Sequence, residues 1–183
     1  MHRDAVHSEV LDTGLRLYIY QDEDAENPRK AWDQLGVMVC AHRRYDLGDR
    51  QPTAQEQVAL ERGGFKLLSR YLKRTEGAVA VLPLGLLDHS GLTMWVGGGA
   101  HWSDAQGWDS GTVGFAYITK DKAAEGSPEG PEKTLEQEVA EYDMYLRGDV
   151  YGYVIEDEQG EHVDSCWGFY GFDECLAEAK AAA

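Results

Sequence analysis

The strongest structural signal in this chain is the segment Thr134-Leu135-Glu136-Gln137-Glu138-Val139-Ala140-Glu141-Tyr142-Asp143-Met144-Tyr145-Leu146. Four of its apolar residues are spaced four, three and four positions apart, which is the spacing of one face of an α-helix: Leu135, Val139, Tyr142 and Leu146. Thr134 and Gln137 form a capping-box pattern, and Gly148 is a typical helix stop. We therefore expect a helix over 134–147 that buries this apolar stripe.

Around this helix, short apolar or alternating runs predict β-strands, and a second capping box at Thr53 and Glu56 predicts a helix to about residue 75. The Gly63-Gly64 pair is expected to break or bend that helix. The predicted strands are 15–20, 35–40, 79–84, 92–96, 113–119, 150–155 and 162–167. Because strands and helices do not alternate regularly, the pattern favours an α+β fold with a largely antiparallel sheet covered by two or three helices. We expect a single domain over 1–183.

Negative charge is concentrated towards the end of the sequence. Residues 121–183 carry 17 Asp and Glu against 4 Lys and Arg, whereas residues 1–120 carry 16 against 13. A chain with a net charge of −16 is not expected to bind nucleic acid or an anionic membrane, because such binding requires Lys and Arg. No apolar run has the length of a membrane span or a secretory signal, and the three cysteines have no CxxC spacing. These features predict a cytoplasmic protein.

The acids of the predicted helix and of the following hairpin define a candidate partner-binding surface. The helix acids avoid the apolar stripe, so we expect them to point outward, and the hairpin acids lie in its turn. The candidate residues are Glu136, Glu138, Glu141, Asp143, Glu156, Asp157 and Glu158. Two interpretations stay open: a solvated acidic surface without a partner, and a surface that resembles nucleic acid to a basic protein.

Three other patterns have chemical potential. His89, His101, Asp104 and Asp109 are typical metal ligands, so the alternative function is a small metal-dependent hydrolase that uses loops 88–110. No HExxH, HxH or CxxC spacing supports a metal site, however, and we expect no cofactor. A basic stripe on the helix after residue 53 is either solvated, docked internally or able to bind phosphate: Arg62, Lys66, Arg70 and Arg74. We expect Trp102 and Trp108 to fix their loop by burial, and Cys166 to fill the core.

Several motifs together resemble a family of small uncharacterised proteins from bacteriophages and integrated mobile elements. The motifs are Asn27-Pro28-Arg29, Trp32-Asp33-Gln34-Leu35-Gly36, His42-Arg43-Arg44-Tyr45-Asp46-Leu47-Gly48-Asp49, Asp88-His89-Ser90-Gly91, Trp108-Asp109-Ser110-Gly111 and Asp164-Ser165-Cys166-Trp167-Gly168. The resemblance assigns no catalytic residue. It implies the context of host-defence inhibitors, of the anti-CRISPR or anti-restriction kind. Together with the charge asymmetry, it favours a non-enzymatic inhibitor whose partner in the host cytoplasm is a basic nucleic-acid-binding protein or complex. The sequence does not fix the oligomeric state.

Overall fold

The computed structural model describes residues 4–104 and 106–183. In these ranges the protein has five helices and two four-stranded sheets, and all neighbouring strands within the sheets are antiparallel. The α+β class predicted from sequence is therefore confirmed. The chain divides into two compact units, which we call the acidic unit (Met1–Asn27 with Met144–Ala183) and the central unit (Pro28–Asp143).

The acidic unit is a four-stranded sheet with one helix packed on it. Its strand order is β1-β2-β7-β8, with β1 at His7–Val10, β2 at Arg16–Gln21, β7 at Val150–Glu156 and β8 at His162–Tyr170. The last helix is α5, Phe172–Ala182. Alternate residues of the central strands face this helix and form the buried core, as period-two patterning requires: Leu17, Ile19, Tyr153 and Ile155, with Cys175 and Ala179 of the helix.

The central unit contains the second sheet, in the order β3-β6-β4-β5. These strands are β3 at Val37–Cys40, β4 at Ala78–Asp88, β5 at Leu92–Val96 and β6 at Ser110–Thr119. The other helices are α1 at Pro28–Ala31, α2 at Ala54–Thr75, α3 at Lys120–Gly126 and α4 at Pro131–Arg147. One buried cluster joins the sheet to α2: Val39, Ala59, Leu68, Leu72, Ala78, Phe115 and Tyr117.

Helix α2 begins and bends where the sequence predicts. The Thr53 side chain accepts a hydrogen bond from Glu56 N, and the Glu56 carboxylate accepts one from Thr53 N at 2.7 Å, which completes the capping box. The helix is interrupted at Gly63 and Gly64, where Gly64 has a φ of 59°. Because few residues other than glycine adopt this left-handed conformation, the Gly-Gly pair divides α2 into two arms, 54–62 and 65–75.

Three expectations need correction. Helix α4 begins at Pro131 rather than Thr134, and Thr134 lies buried inside the helix, where its Oγ1 donates to Gly130 O at 3.2 Å. Proline is favoured in the first turn because its missing N–H would have no helical partner there. Residues 120–132 contain two glycines and two prolines, a composition that predicts a surface loop, but they include helix α3. The strands also form two sheets rather than one, and the single domain over 1–183 stays a prediction.

Within the described ranges, no helix is both long enough and apolar enough to cross a membrane.

Two neighbouring leucines of α2 test this packing. Leu68 is fully buried, so Leu68→Ala should lower the free energy of unfolding by about 2–5 kcal/mol through lost burial and a cavity. Leu67 is 37% exposed, and Leu67→Ala should cost less than about 1.5 kcal/mol. Urea denaturation followed by circular dichroism measures both. Equal losses for the two variants would contradict the orientation of the second arm.

Candidate functional site

The charge asymmetry of the sequence belongs to one compact unit. The ranges 1–27 and 144–183 carry 16 Asp and Glu against 4 Lys and Arg, whereas 28–143 carry 17 against 13. The N-terminal residues thus add their acids to those of the C-terminal hairpin. Lys180 pairs with Glu9 at 2.9 Å and Arg147 with Asp149 at 3.0 Å. Four Lys and Arg for 16 Asp and Glu mean that the carboxylates outnumber the cations available for one-to-one pairing in the same ranges.

One end of the acidic sheet combines two acidic hairpin turns. Strand β2 pairs with β7 so that Arg16 lies opposite Glu156, which places the β1–β2 turn beside the β7–β8 turn. The two turns are close together, because a Cβ atom added at Gly14 of the first would lie 2.7 Å from Glu158 Oε1 of the second. Asp157 holds its own turn, because its Oδ1 accepts hydrogen bonds from Gln159 N at 2.9 Å and Glu161 N at 2.8 Å. Of the predicted hairpin residues, Glu158 is exposed, whereas Glu156 and Asp157 are half-buried.

The opposite end of the same sheet is also acidic. Glu23, Asp24 and Glu26 follow β2 and have exposed side chains, and the Glu26 carbonyl accepts a 2.5 Å hydrogen bond from Tyr170 Oη. Asp173 lies in the first turn of α5, together with Glu174, where negative charge interacts favourably with the helix dipole. Sequence reasoning missed these N-terminal acids because nothing local in their sequence predicts which strand β2 pairs with.

Glu138 of α4 corrects the predicted acidic helix face. The expectation that it points outward is wrong: only 8% of the residue is exposed. Its Oε2 lies 2.8 Å from Arg29 Nη1, and its Oε1 accepts hydrogen bonds from Leu35 N at 2.8 Å and Gly36 N at 3.0 Å. Glu138 therefore stabilises the central unit and is unavailable to a partner.

Arg29 is the centre of this buried cluster. Its side chain is 1% exposed, its Nε donates to Asp49 Oδ1 at 2.9 Å, and its Nη2 also donates to Gly36 O at 2.7 Å. Burial lowers the pKa of Arg29, but the hydrogen bonds and charges of Asp49 and Glu138 outweigh it, so the net pKa is raised. The guanidinium is therefore permanently charged, and both carboxylates are needed beside it.

The other acids of α4 differ in exposure. Glu136 is exposed and lies 3.4 Å from Lys133 Nζ. Glu141 is half-buried and lies 3.5 Å from Gln34 Nε2. Asp143 accepts a 2.7 Å hydrogen bond from Met94 N, which fixes β5 to this helix. Of the four predicted helix residues, Glu136 thus has the surface position that partner binding needs.

The two histidines of loops 88–110 have different side-chain partners. His89 Nδ1 lies 2.9 Å from Asp109 Oδ2, and His101 Nδ1 lies 2.7 Å from Ser103 Oγ. Asp104 organises its own loop, because its carboxylate accepts hydrogen bonds from Asp109 N at 2.9 Å and Trp108 N at 3.2 Å. These hydrogen bonds, that from Asp109 N first, lower the pKa of Asp104. Over the described residues, which leave out Ala105, no three His, Cys, Asp or Glu side chains are grouped to hold a metal ion. His89, His101, Asp104 and Asp109, which the alternative hydrolase function would use, therefore do not form a metal centre in the described residues.

Two further expectations about burial are wrong. Trp102 is 86% exposed and Trp108 is 82% exposed, so neither fixes its loop by burial. Cys166 is exposed on β8, the edge strand of the acidic sheet, and does not fill the core. Trp108 instead borders a polar groove of about 260 Å³, which is also lined by His42, Arg43 and Asp88. Exposed aromatic side chains beside polar groups are common in contact surfaces.

No protein-family model, curated protein or solved structure matches this chain.

Replacing Arg29 tests the buried cluster. Arg29→Met should lower the free energy of unfolding by about 3–5 kcal/mol, because it leaves the buried Glu138 carboxylate and the partly exposed Asp49 carboxylate without their cation. The matched control is Arg44→Met, which removes an exposed arginine paired with Asp88 and should cost at most about 1 kcal/mol. Urea denaturation at neutral pH measures both losses. A small effect of Arg29→Met would show that the cluster does not stabilise the fold.

Proposed function

We propose that this protein is a phage-type inhibitor that binds a host defence complex, of the CRISPR or restriction kind, with an acidic surface in place of nucleic acid. The observation that supports this proposal is the concentration of 16 carboxylates against 4 cations in the acidic unit. Self-repulsion among these charges destabilises a folded protein. A basic partner would relieve that repulsion, which gives the arrangement a function.

The hairpin end of the acidic sheet is the best candidate for the contact. Its exposed carboxylates belong to turns of neighbouring strand pairs, and adjacent strands lie about 4.8 Å apart. Asp12, Glu158 and Glu161 are exposed there, with Glu156 and Asp157 beside them. Carboxylates at this spacing provide a dense negative potential of the kind that nucleic-acid-binding sites attract. Glu138 is no longer part of the proposed surface.

Charge reversal tests the proposal. The triple variant Asp12→Lys, Glu158→Lys and Glu161→Lys should weaken binding to the inhibited complex by at least about tenfold, mainly through a slower on-rate. The same loss should appear for the unmodified protein when salt rises from low to moderate concentration. Phage plating on cells that carry defined CRISPR or restriction systems identifies the inhibited complex, and surface plasmon resonance then measures the rates.

A matched variant controls for net charge. Glu61→Lys, Glu76→Lys and Asp121→Lys reverse three exposed acids of the central unit and should leave inhibition unchanged. Nucleic acid should compete with the unmodified protein for the complex. Inhibition that survives the acidic-unit reversal, persists on a complex already loaded with nucleic acid, or is absent for every system would contradict the proposal.

A further inference from the structure

The bend in α2 creates a groove that the proposed function does not use. The two arms, 54–62 and 65–75, border an open groove of about 610 Å³ on the central unit. Its apolar lining comes from both arms: Ala54, Val58, Ala59, Leu67 and Tyr71. The left-handed Gly64 makes the bend possible, so the sequence specifies the groove directly.

The apolar side chains of this groove are accessible. Val58 is 43% exposed and Leu67 is 37% exposed, whereas Leu68 and Leu72, on the other side of the second arm, are fully buried against the sheet. Burial of such apolar surface by a ligand is favourable in water. The groove therefore has an apolar floor that the central unit leaves open.

Three arginines line the same groove: Arg62 on the first arm and Arg70 and Arg74 on the second. In the described part of the chain, none of them forms a salt bridge. This is notable in a chain with a net charge of −16, where carboxylates are abundant. A guanidinium group recognises carboxylates with two parallel hydrogen bonds, so the groove combines an apolar floor with anion-binding groups.

The size of the groove favours a small ligand. The volume of the groove is about 610 Å³. Pockets for small molecules are typically about 300–1,000 Å³, mostly apolar, with a few polar groups. We propose that the groove binds a single-chain aliphatic carboxylate, with its chain on the apolar floor and its head group on Arg70 and Arg74.

Calorimetric titration with dodecanoate, below its micelle concentration, tests this site. Dodecanoate should bind saturably with one molecule per chain. Dodecyltrimethylammonium has the same chain with a cationic head and should not bind. Hexanoate has the same head with a shorter chain and should bind at least tenfold more weakly, because it buries six fewer methylene groups.

Paired substitutions on the second arm locate the site. Arg70→Gln with Arg74→Gln should weaken dodecanoate binding at least tenfold. Lys66→Gln with Lys73→Gln removes the same charge from exposed residues of the same arm that do not line the groove, and should change the affinity less than twofold. Val58→Asp should also abolish binding, and because Val58 is partly exposed the fold should survive, as circular dichroism can verify.

Three outcomes would overturn the proposal. Equal losses in the two double variants would show a non-specific charge effect. Binding of dodecyltrimethylammonium as tightly as dodecanoate would show that the arginines do not select the head group. Binding of an acidic helical peptide or of anionic vesicles without binding of monomeric dodecanoate would assign the groove to a different class of partner. None of these tests depends on the acidic unit, so they are independent of the proposed inhibition.

Discussion

The buried guanidinium of Arg29 is the interaction on which the central unit depends. It connects the short helix α1 to Asp49, to the Gly36 carbonyl before β3 and to Glu138 of α4. Each carboxylate also accepts backbone hydrogen bonds, Asp49 from Met38 N and Glu138 from Leu35 N and Gly36 N. Because a buried charge is tolerated only with its partners in place, these segments have one mutual arrangement. The cluster thus specifies geometry at least as much as it adds stability.

The same cluster explains where sequence reasoning fails. The capping box at Thr53, the bend at Gly63 and the hairpin of β7 and β8 depend on residues close in sequence, and all three were predictable. The burial of Glu138 depends on Arg29, 109 residues away. Glu138 follows Leu135 by three residues and precedes Tyr142 by four, so helical periodicity places it at the edge of the apolar stripe. Periodicity alone does not distinguish a solvated carboxylate at that edge from one that faces a buried cation. Identifying that pair requires the tertiary structure.

The acidic surface was partly predictable for a related reason. Sequence counting locates the excess charge in residues 121–183, whereas the fold combines part of that segment with residues 1–27. The acids of residues 1–27 join those of the C-terminal segment because β2 pairs with β7, two strands that are far apart in sequence. Composition therefore predicts that a strongly acidic surface exists, but strand pairing decides which carboxylates share it. The proposed partner-binding surface therefore keeps Glu158, gains Asp12 and Glu161, and no longer includes the buried Glu138.

The binding affinities of the two proposed sites should depend differently on salt, so that a salt titration distinguishes the two sites. A basic partner is attracted by the acidic unit over a Debye length, about 8 Å at physiological ionic strength, so added salt weakens its association. An anionic amphiphile is instead repelled by the net charge of −16, and its attraction to Arg70 and Arg74 acts only at contact. Moderate salt screens the long-range repulsion more than the contact, and it strengthens apolar burial when the anion is kosmotropic. Dodecanoate affinity should therefore hold or rise over the salt range in which the acidic surface loses its partner. A fall of dodecanoate affinity over the same range would mean that attraction to the arginines, rather than burial of the chain, dominates its binding.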